Sequence, residues 1–527
     1  MKEFNTTGTC IPSMHYMVDT SDKLNKIYDL IVKGKYFTIN RSRQYGKTTT
    51  MYLLKSMLRE RYEVLNISFE GVGDEPFFNN RSFVNMLMPR IAKAMKFTRI
   101  KDEDISLWIT DTGFDEENAI AYLSEKVSEF CEKYEVVLMI DEMDKCSDNQ
   151  VFLNFLGMMR EKYLSRNASE DYTFKSVILA GVYDVKNLKL KLRPDEERKY
   201  NSPWNIAIDF NIDMSFHPAE IATMLESYEE DMHSGMDIKA MSEELYHYTN
   251  GYPYLVSWLC KWIEENGNRD WSSEGLRKAV KHYYCVDSTL TDDLIKNYEN
   301  NPLLRQMIDS MIFQGKEYSY VSTDEAINLG ITFGIFKKKE NAEGKLEISN
   351  IIFANLLTDH VMMRKEREAT WIPPEKSQFI KEDGHLDMVH VLNRFQIFMK
   401  SEYRQEDERF IEQQGRLLFL CFLKPIINGT GFYYVEPETR NSSRMDIVVT
   451  YLDEEFIIEL KIWRGDIYRK DGLKQLNGYL DSREQRKGYL VSFSFLKDKK
   501  LVSGYVADVK NDEVPGIENK EIYEVVV

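Results

Sequence analysis

Asn40-Arg41-Ser42-Arg43-Gln44-Tyr45-Gly46-Lys47-Thr48 follows the apolar run Tyr36-Phe37-Thr38-Ile39 and precedes a helical pattern in Met51, Leu53, Leu54, Met57 and Leu58. A strand that breaks into a loop ending in Gly-Lys-Thr at a helix N-terminus has the chemistry to hold polyphosphate. The first-turn N–H groups lack intrahelical partners and carry the positive end of the helix dipole. Lys47 can reach the β- and γ-phosphates, and Thr48 can hold Mg²⁺ through its hydroxyl. Arg43, Gly46, Lys47, Thr48 and Thr49 make up the expected nucleotide contacts. The full pattern G-x-x-x-x-G-K-[ST] asks for glycine at position 41, where this chain has arginine. An arginine does not adopt positive φ cheaply, so the loop must approach the phosphates by another backbone path.

Further along, Val136-Val137-Leu138-Met139-Ile140 is a continuous apolar run ending in Asp141 and Glu142. Such a run fills a parallel strand buried on both faces. This is the form of a Walker B strand: Asp141 would reach the Mg²⁺ held by Thr48, and Glu142 would orient or deprotonate the water attacking the γ-phosphate. A buried strand followed by a solvated acidic turn that includes Asp144 would need no metal.

With Asp19 to Lys23 leading into Lys35 to Thr48, this N-terminal part is similar to the bacterial AAA-ATPase-like family. In that family the first loop glycine is typically replaced within an arginine-rich sequence of the type R-P-R-R-F-G-K-S, so Arg41 is a shared departure. The resemblance implies a P-loop ATPase, and it implies a PD-(D/E)XK nuclease domain at the C-terminus as a frequent companion.

A second group with chemical potential lies there. Arg444 to Tyr451 alternates at period two, as does Phe456 to Ile462 after the turn Leu452 to Glu455. Pairing Tyr451 with Glu454 puts Asp446 opposite Glu459, with Lys461 following on the same face, while Phe456, Ile458, Leu460 and Ile462 supply packing on the other. Two partly buried carboxylates repel each other unless a cation or proton intervenes, and a divalent ion resolves the repulsion. Asp446, Glu459 and the carbonyl of Leu460 would hold Mg²⁺, and Lys461 would position the attacking water or stabilise developing charge.

These residues resemble the PD-(D/E)XK core. The resemblance implies an upstream helical acid as an extra ligand, Glu412 in preference to Glu408, and a role for Gln475 in the spacing Gln475-x-x-x-Tyr479. The expected cofactors are ATP and Mg²⁺, one ion at the P-loop and one or two at the nuclease site, with Mn²⁺ as a possible substitute there. Arg464, Arg469, Lys470, Lys474, Arg483, Arg486 and Lys487 could track a phosphate backbone or form a solvated helix face.

The chain that must position these groups has 527 residues, too many for one core. Its hydrophobic content of 43%, with 29% charged residues, is that of an ordinary soluble globular protein. A net charge of -17 restricts any nucleic-acid contact to a local patch. The six cysteines form no C-x-x-C pair and the eight histidines no ligand-spaced cluster, which argues against disulfide frameworks and zinc sites. No leader pattern or membrane-spanning run is legible, so the expectation is a cytoplasmic protein without membrane association. Nucleic acid, DNA foremost, is the expected partner, with a homo-oligomer possible.

Val64 to Phe69, Ser176 to Val182 and Trp204 to Phe210 read as further strands of the first sheet, the last as a fifth, and Phe83 to Met95 as a helix between strands. Tyr183, Asp184 and Asn187 stand where a γ-phosphate sensor belongs, and Arg193 or Arg198 could make a mobile phosphate contact. Helical spacing over Glu220 to Glu229, Ser242 to Thr249 and Tyr254 to Glu265 predicts a lid, interrupted at Asn250-Gly251-Tyr252-Pro253. Helices at Leu303 to Phe313 and Ser322 to Leu329, followed by a hairpin carrying Lys337, Lys338 and Lys339, predict a winged helix.

The expected fold is α/β throughout. A P-loop NTPase core (1–215) with a parallel sheet is followed by a helical lid (216–298), a winged-helix-like connector (299–363), a linker (364–384) and a restriction-endonuclease-like α/β domain (385–527). The expected function is ATP-binding, Mg²⁺-dependent cleavage of DNA gated by nucleotide state. The rival is a non-cleaving regulatory ATPase whose nuclease-like domain only binds nucleic acid or mediates assembly.

Overall fold

Four strands, β1 (Phe37–Asn40), β2 (Glu63–Ser68), β3 (Val136–Asp141) and β4 (Ser176–Gly181), form a parallel sheet in the order β1-β4-β3-β2. Every residue of β3 and β4 is buried, which is why their sequences run apolar without alternation. Successive side chains still go to opposite faces. Val136, Leu138 and Ile140 pack with α3 (Asn80–Met95), α4 (Asp102–Thr110), α5 (Ala119–Lys133) and α6 (Gln150–Asn167). Val137 and Met139 pack with α1 (Ser21–Val32) and α2 (Lys47–Leu58). Helices on both faces of a parallel sheet are the arrangement expected of a P-loop NTPase core.

The computed structural model describes the chain except for residues 1, 111–113, 147–148, 183–203, 315, 340–343, 369–374, 403–407, 436–446, 464–465, 484, 495–502, 508 and 510–513, and some side chains within helices and strands. It divides into two units, Met1–Ala279 with Thr332–Gly334, and Val280–Ile331 with Ile335–Val527. Among the described residues no helix is long and apolar enough to cross a membrane.

The expected fifth strand, Trp204 to Phe210, is not one. Residues 204–206 turn, and only Ile208 bridges in parallel to Phe37. The apolar run is explained by burial instead: Trp204 is fully enclosed, and its indole N–H donates to Thr38 Oγ1 at 3.2 Å.

The helices expected to form a lid lie close to where helical spacing put them, as α7 (Pro218–Met232), α8 (Ile238–Thr249) and α9 (Pro253–Glu265), followed by α10 (Ser273–Tyr283). Asp237 caps α8 by accepting the Ala240 N–H, and Pro253 opens α9 at a position whose N–H would have no intrahelical partner.

In the second unit, α11 (Thr289–Asn300), α12 (Pro302–Gln314) and α13 (Glu325–Thr332) precede the two-stranded antiparallel pair β5 (Phe336–Lys338) and β6 (Leu346–Ile348). Then α14 (Ile351–Glu368) continues through residues 364–368 of the expected linker, and a short 3-10 turn covers Lys376–Phe379. After α15 (Met388–Glu402) and α16 (Glu408–Ile427) comes a mixed six-stranded sheet. It comprises β7 (Gly431–Val435), β8 (Ile447–Tyr451), β9 (Glu454–Trp463), β10 (Lys487–Ser494), β11 (Ser503–Tyr505) and β12 (Glu521–Val526), in the order β11-β12-β10-β9-β8-β7.

β7, β8 and β9 meander antiparallel, and β10 lies parallel to β9 across the helix α17 (Asp466–Ser482). One face is covered by α17, whose Leu473, Leu476 and Leu480 meet Ile457, Leu490 and Ile522. On the other, Phe395 of α15 packs against Phe422 of α16 and Phe493 of β10.

Candidate nucleotide and phosphodiester sites

Residues 41–46 turn from β1 into α2, and the left-handed positions that make the turn are Gln44 (φ 57) and Gly46 (φ 75). The backbone thus takes another path than one through a glycine at 41, as the arginine there required. Arg41 is a structural residue: its guanidinium donates to the carbonyls of Asn40 and Ile212 and lies over the Phe210 ring.

Lys47, the first residue of α2, is buried, and its ammonium donates to the carbonyls of Arg41 and Ser42, both at 2.9 Å. Burial pushes its pKa down, while the charges of Asp144, Glu142 and Asp141 pull it back up. Thr48 Oγ1 donates to Asp141 Oδ2 at 2.8 Å across 93 residues of sequence. A hydroxyl and a carboxylate so placed are hard oxygen donors of the kind Mg²⁺ takes, so the pair fits that ion.

Glu142 leaves the strand with φ 56, and its side chain is exposed. Partial desolvation raises its pKa, and the neighbouring Asp141 charge adds to the rise. Asp144, which the alternative of a solvated acidic turn would leave in water, accepts the Val182 N–H beyond the end of β4, at 2.6 and 2.9 Å to its two oxygens. Arg43 is exposed, and Thr49 Oγ1 accepts the backbone N–H of Cys10 at 3.1 Å. The sensor candidates Tyr183, Asp184 and Asn187, with Arg193 and Arg198, lie outside the described residues.

Sequence reasoning missed what stands beside this loop. A cavity of about 400 Å³ is bounded by Gly46 and Thr49, by Gly8 and Tyr16 of the N-terminal segment, and by Pro253 and Tyr254 of the lid. Asn5 to Gly8, Cys10 and Tyr16, in a segment read for a leader pattern, line it. Tyr16 donates to Asp231 of α7 at 3.1 Å, and the Phe4 ring packs on Tyr16, Tyr228 and Trp271. The aromatic residues Phe4 and Tyr16 were the available signal, since both are buried.

In the second unit the hairpin register runs from Tyr451 opposite Glu454 to Ile447 opposite Ile458, as the alternation predicts. Asp446 lies outside the described residues, as does the side chain of Glu412 on α16. The other expected groups converge. Glu459 is 1% exposed, and Lys461 Nζ lies 2.8 Å from its Oε1. The ammonium also donates to Gln475 Oε1 of α17.

The close approach depends on Gly472, where a Cβ would stand 3.1 Å from Lys461 Cγ. The Glu459 face is therefore covered by α17, and both faces of β9 are buried, contrary to the expectation of packing on one face only. Among the described residues no three His, Cys, Asp or Glu side chains form a metal-binding group.

Two of the cations that could track a phosphate backbone are engaged in ion pairs. Arg469 makes an ion pair with the buried Glu524, Nη2 to Oε2 at 2.7 Å, and Arg483 pairs with Glu455 at 2.8 Å and donates to Tyr434 Oη. Lys474, Arg486 and Lys487 are exposed, and Arg464 is outside the described residues. On the β5-β6 pair, Lys337 pairs with Glu347 at 2.9 Å and Lys338 lies over the Tyr320 ring at 3.8 Å, so these two cations are engaged within the unit.

No family model and no curated protein matches the chain. Among solved structures it is similar to a Walker-type ATPase of Pyrococcus abyssi, with 12% identity over 67% of this chain and 99% of that one and a TM-score of 0.47. It is also similar to the Aeropyrum pernix ORC1 protein in complex with DNA, at 11% identity over 66% of this chain and 94% of that one, with a TM-score of 0.29. A third is the Aeropyrum pernix ORC2 protein in ADPNP-ADP complexes, at 13% identity over 68% and 98%, with a TM-score of 0.33. Likenesses at this level leave the chemistry of the chain to its own residues.

Proposed function

We propose that the chain binds ATP with Mg²⁺ in its first unit and cleaves DNA phosphodiester bonds in its second, with nucleotide state gating cleavage. The observation that carries the nucleotide half is the 2.8 Å bond from Thr48 Oγ1 to Asp141 Oδ2 beside the buried Lys47. The chemistry that Mg²⁺ supplies at such a site, when bound, is neutralisation of charge on the phosphates. Thr48 and Asp141 would hold the ion, Lys47 would meet the phosphates, and Glu142 would take the proton of the attacking water. The cavity beside Thr49 has the size and apolar walls to take the base and ribose.

Support for the nuclease half is the meeting of Glu459, Lys461 and Gln475, together with the element order α16-β7-β8-β9-α17-β10. Glu459 and the Leu460 carbonyl, with Asp446 and Glu412, would hold Mg²⁺ there, and Lys461 would stabilise charge on the phosphate. Divisions near 215 and 384 go with this reading, while those expected at 298 and 363 fall inside α11 and α14; a cytoplasmic setting and self-association go with it too. The rival, a non-cleaving regulatory ATPase, is favoured by one observation: Arg469 and Arg483 are taken up by internal ion pairs.

Calorimetry of ATP binding with and without Mg²⁺, on the parent and Thr48→Ala, tests the first half; the variant is expected to lose the Mg²⁺ dependence. Labelled single-stranded and duplex DNA incubated with the protein and Mg²⁺, with and without ATP, tests the second. Intact DNA under all of these conditions would leave the regulatory reading in place of the nuclease.

A further inference from the structure

We infer that Tyr252 of the lid is a positioning residue for the phosphate-binding loop, holding its peptide planes in the orientation that presents N–H groups to an anion. The inference rests on the nucleotide reading above.

The helices α8 and α9 meet at Asn250 and Gly251, both left-handed (φ 47 and 69). Glycine is required at 251, since a Cβ there would stand 2.0 Å from the Phe216 carbonyl oxygen, and the Phe216 N–H in turn donates to the Gly251 carbonyl at 2.8 Å. This junction delivers Tyr252 to the loop. Its side chain is buried, its ring meets the edge of Tyr45 at 4.8 Å, and its hydroxyl donates to the Arg43 carbonyl at 2.6 Å. A phenol has one hydrogen, so the 3.1 Å contact with Ser42 Oγ has serine as donor.

Three successive carbonyls are thereby tied: those of Arg41 and Ser42 by Lys47, and that of Arg43 by Tyr252. In a trans peptide the C=O and the following N–H point in opposite directions, so fixing the Arg43 carbonyl fixes the Gln44 N–H. The hold matters most at Gln44, because a left-handed residue that is not glycine is intrinsically unfavourable and persists only where its surroundings over-determine it. Arg41 occupies the place of the usual first glycine, and the lid hydroxyl supplies from outside some of the constraint on this turn. Tyr252 also joins the lid to the loop, so a change in loop geometry reaches the start of α9 through its hydroxyl and ring.

Tyr252→Phe removes the hydroxyl and keeps the ring packing. The variant is expected to bind ATP about tenfold more weakly, from loss of one part-buried hydrogen bond to the loop, and to bind adenosine within about twofold of the parent. Hydrogen exchange of the residue 42–46 amides in nucleotide-free protein should be about tenfold faster at equal melting temperature.

Ser42→Ala keeps the bond to Arg43 and should show a smaller effect, non-additive with Tyr252→Phe. If Tyr252→Phe unfolds, hydrogen exchange in the nucleotide-free parent decides: a Gln44 amide that exchanges as fast as in an unfolded chain would overturn the inference. Equal ATP affinity and unchanged loop exchange in folded Tyr252→Phe would overturn it as well. Faster loop exchange in a protein that binds no ATP would support the latch while removing the nucleotide reading.

Discussion

Lys461 and Glu459, two residues apart on β9 and on one face of the sheet, form a 2.8 Å ion pair that α17 covers with Gln475. The pair separates the two roles proposed at this site. Asp446→Asn is expected to abolish cleavage by weakening Mg²⁺, and Lys461→Ala by removing charge stabilisation. Excess Mn²⁺, which tolerates poorer ligand sets, should partly rescue the first and not the second. Gel assays of DNA cleavage across metal titrations read this, and parental cleavage by either variant would remove the assignment. Both should keep the parental basal rate of ATP hydrolysis.

Lys47 holds the loop carbonyls of Arg41 and Ser42 and is the cation expected on the β- and γ-phosphates. Lys47→Ala should weaken ATP binding by about a hundredfold, the scale of losing charge-assisted bonds to phosphate. Titration calorimetry checks the affinity, and a thermal melt checks that the fold persists. Unchanged affinity would sink the phosphate-loop assignment.

Glu142 has its pKa raised by desolvation and by the Asp141 charge. Raising the pKa of an acid favours its protonated form, so as pH falls the base is lost earlier than an ordinary glutamate would be. ATP hydrolysis should decline on the acid side at a higher pH than a solvated glutamate allows. Glu142→Gln should bind ATP and lack hydrolysis at every pH. A pH series of steady-state rates, alongside binding, shows whether both hold.

Arg469 and Glu524 are 14% and 4% exposed in their side chains and are paired at 2.7 Å. Arg469→Ala strands a buried carboxylate and should cost about 3–5 kcal/mol in stability. Lys474→Ala, on the exposed side of the same helix, should change stability by less than about 0.5 kcal/mol. Denaturant melts distinguish the two, and a stable Arg469→Ala that has lost only DNA affinity would restore the phosphate-track reading.

What the sequence determined by itself was local. The strand, loop and helix around Lys47 and the β8-β9 register were legible because strand alternation, turn length and helix start are set within about 20 residues. The buried β3 was legible because a strand covered on both faces has no reason to alternate.

Tertiary structure decided the rest, because it concerned which partner a residue meets and not whether it is buried. The run Trp204 to Phe210 is apolar for enclosure, yet its backbone pairs only at Ile208, and no periodicity distinguishes those outcomes. Arg469 and Arg483 were open to a phosphate backbone or to solvent, and it is other strands that bring Glu524 and Glu455 beside them. The N-terminal wall of the cavity and the bond from Tyr252 to Arg43 join residues that are far apart in sequence and carry no shared pattern. Only the folding of the start of α9 beside the loop brings them together.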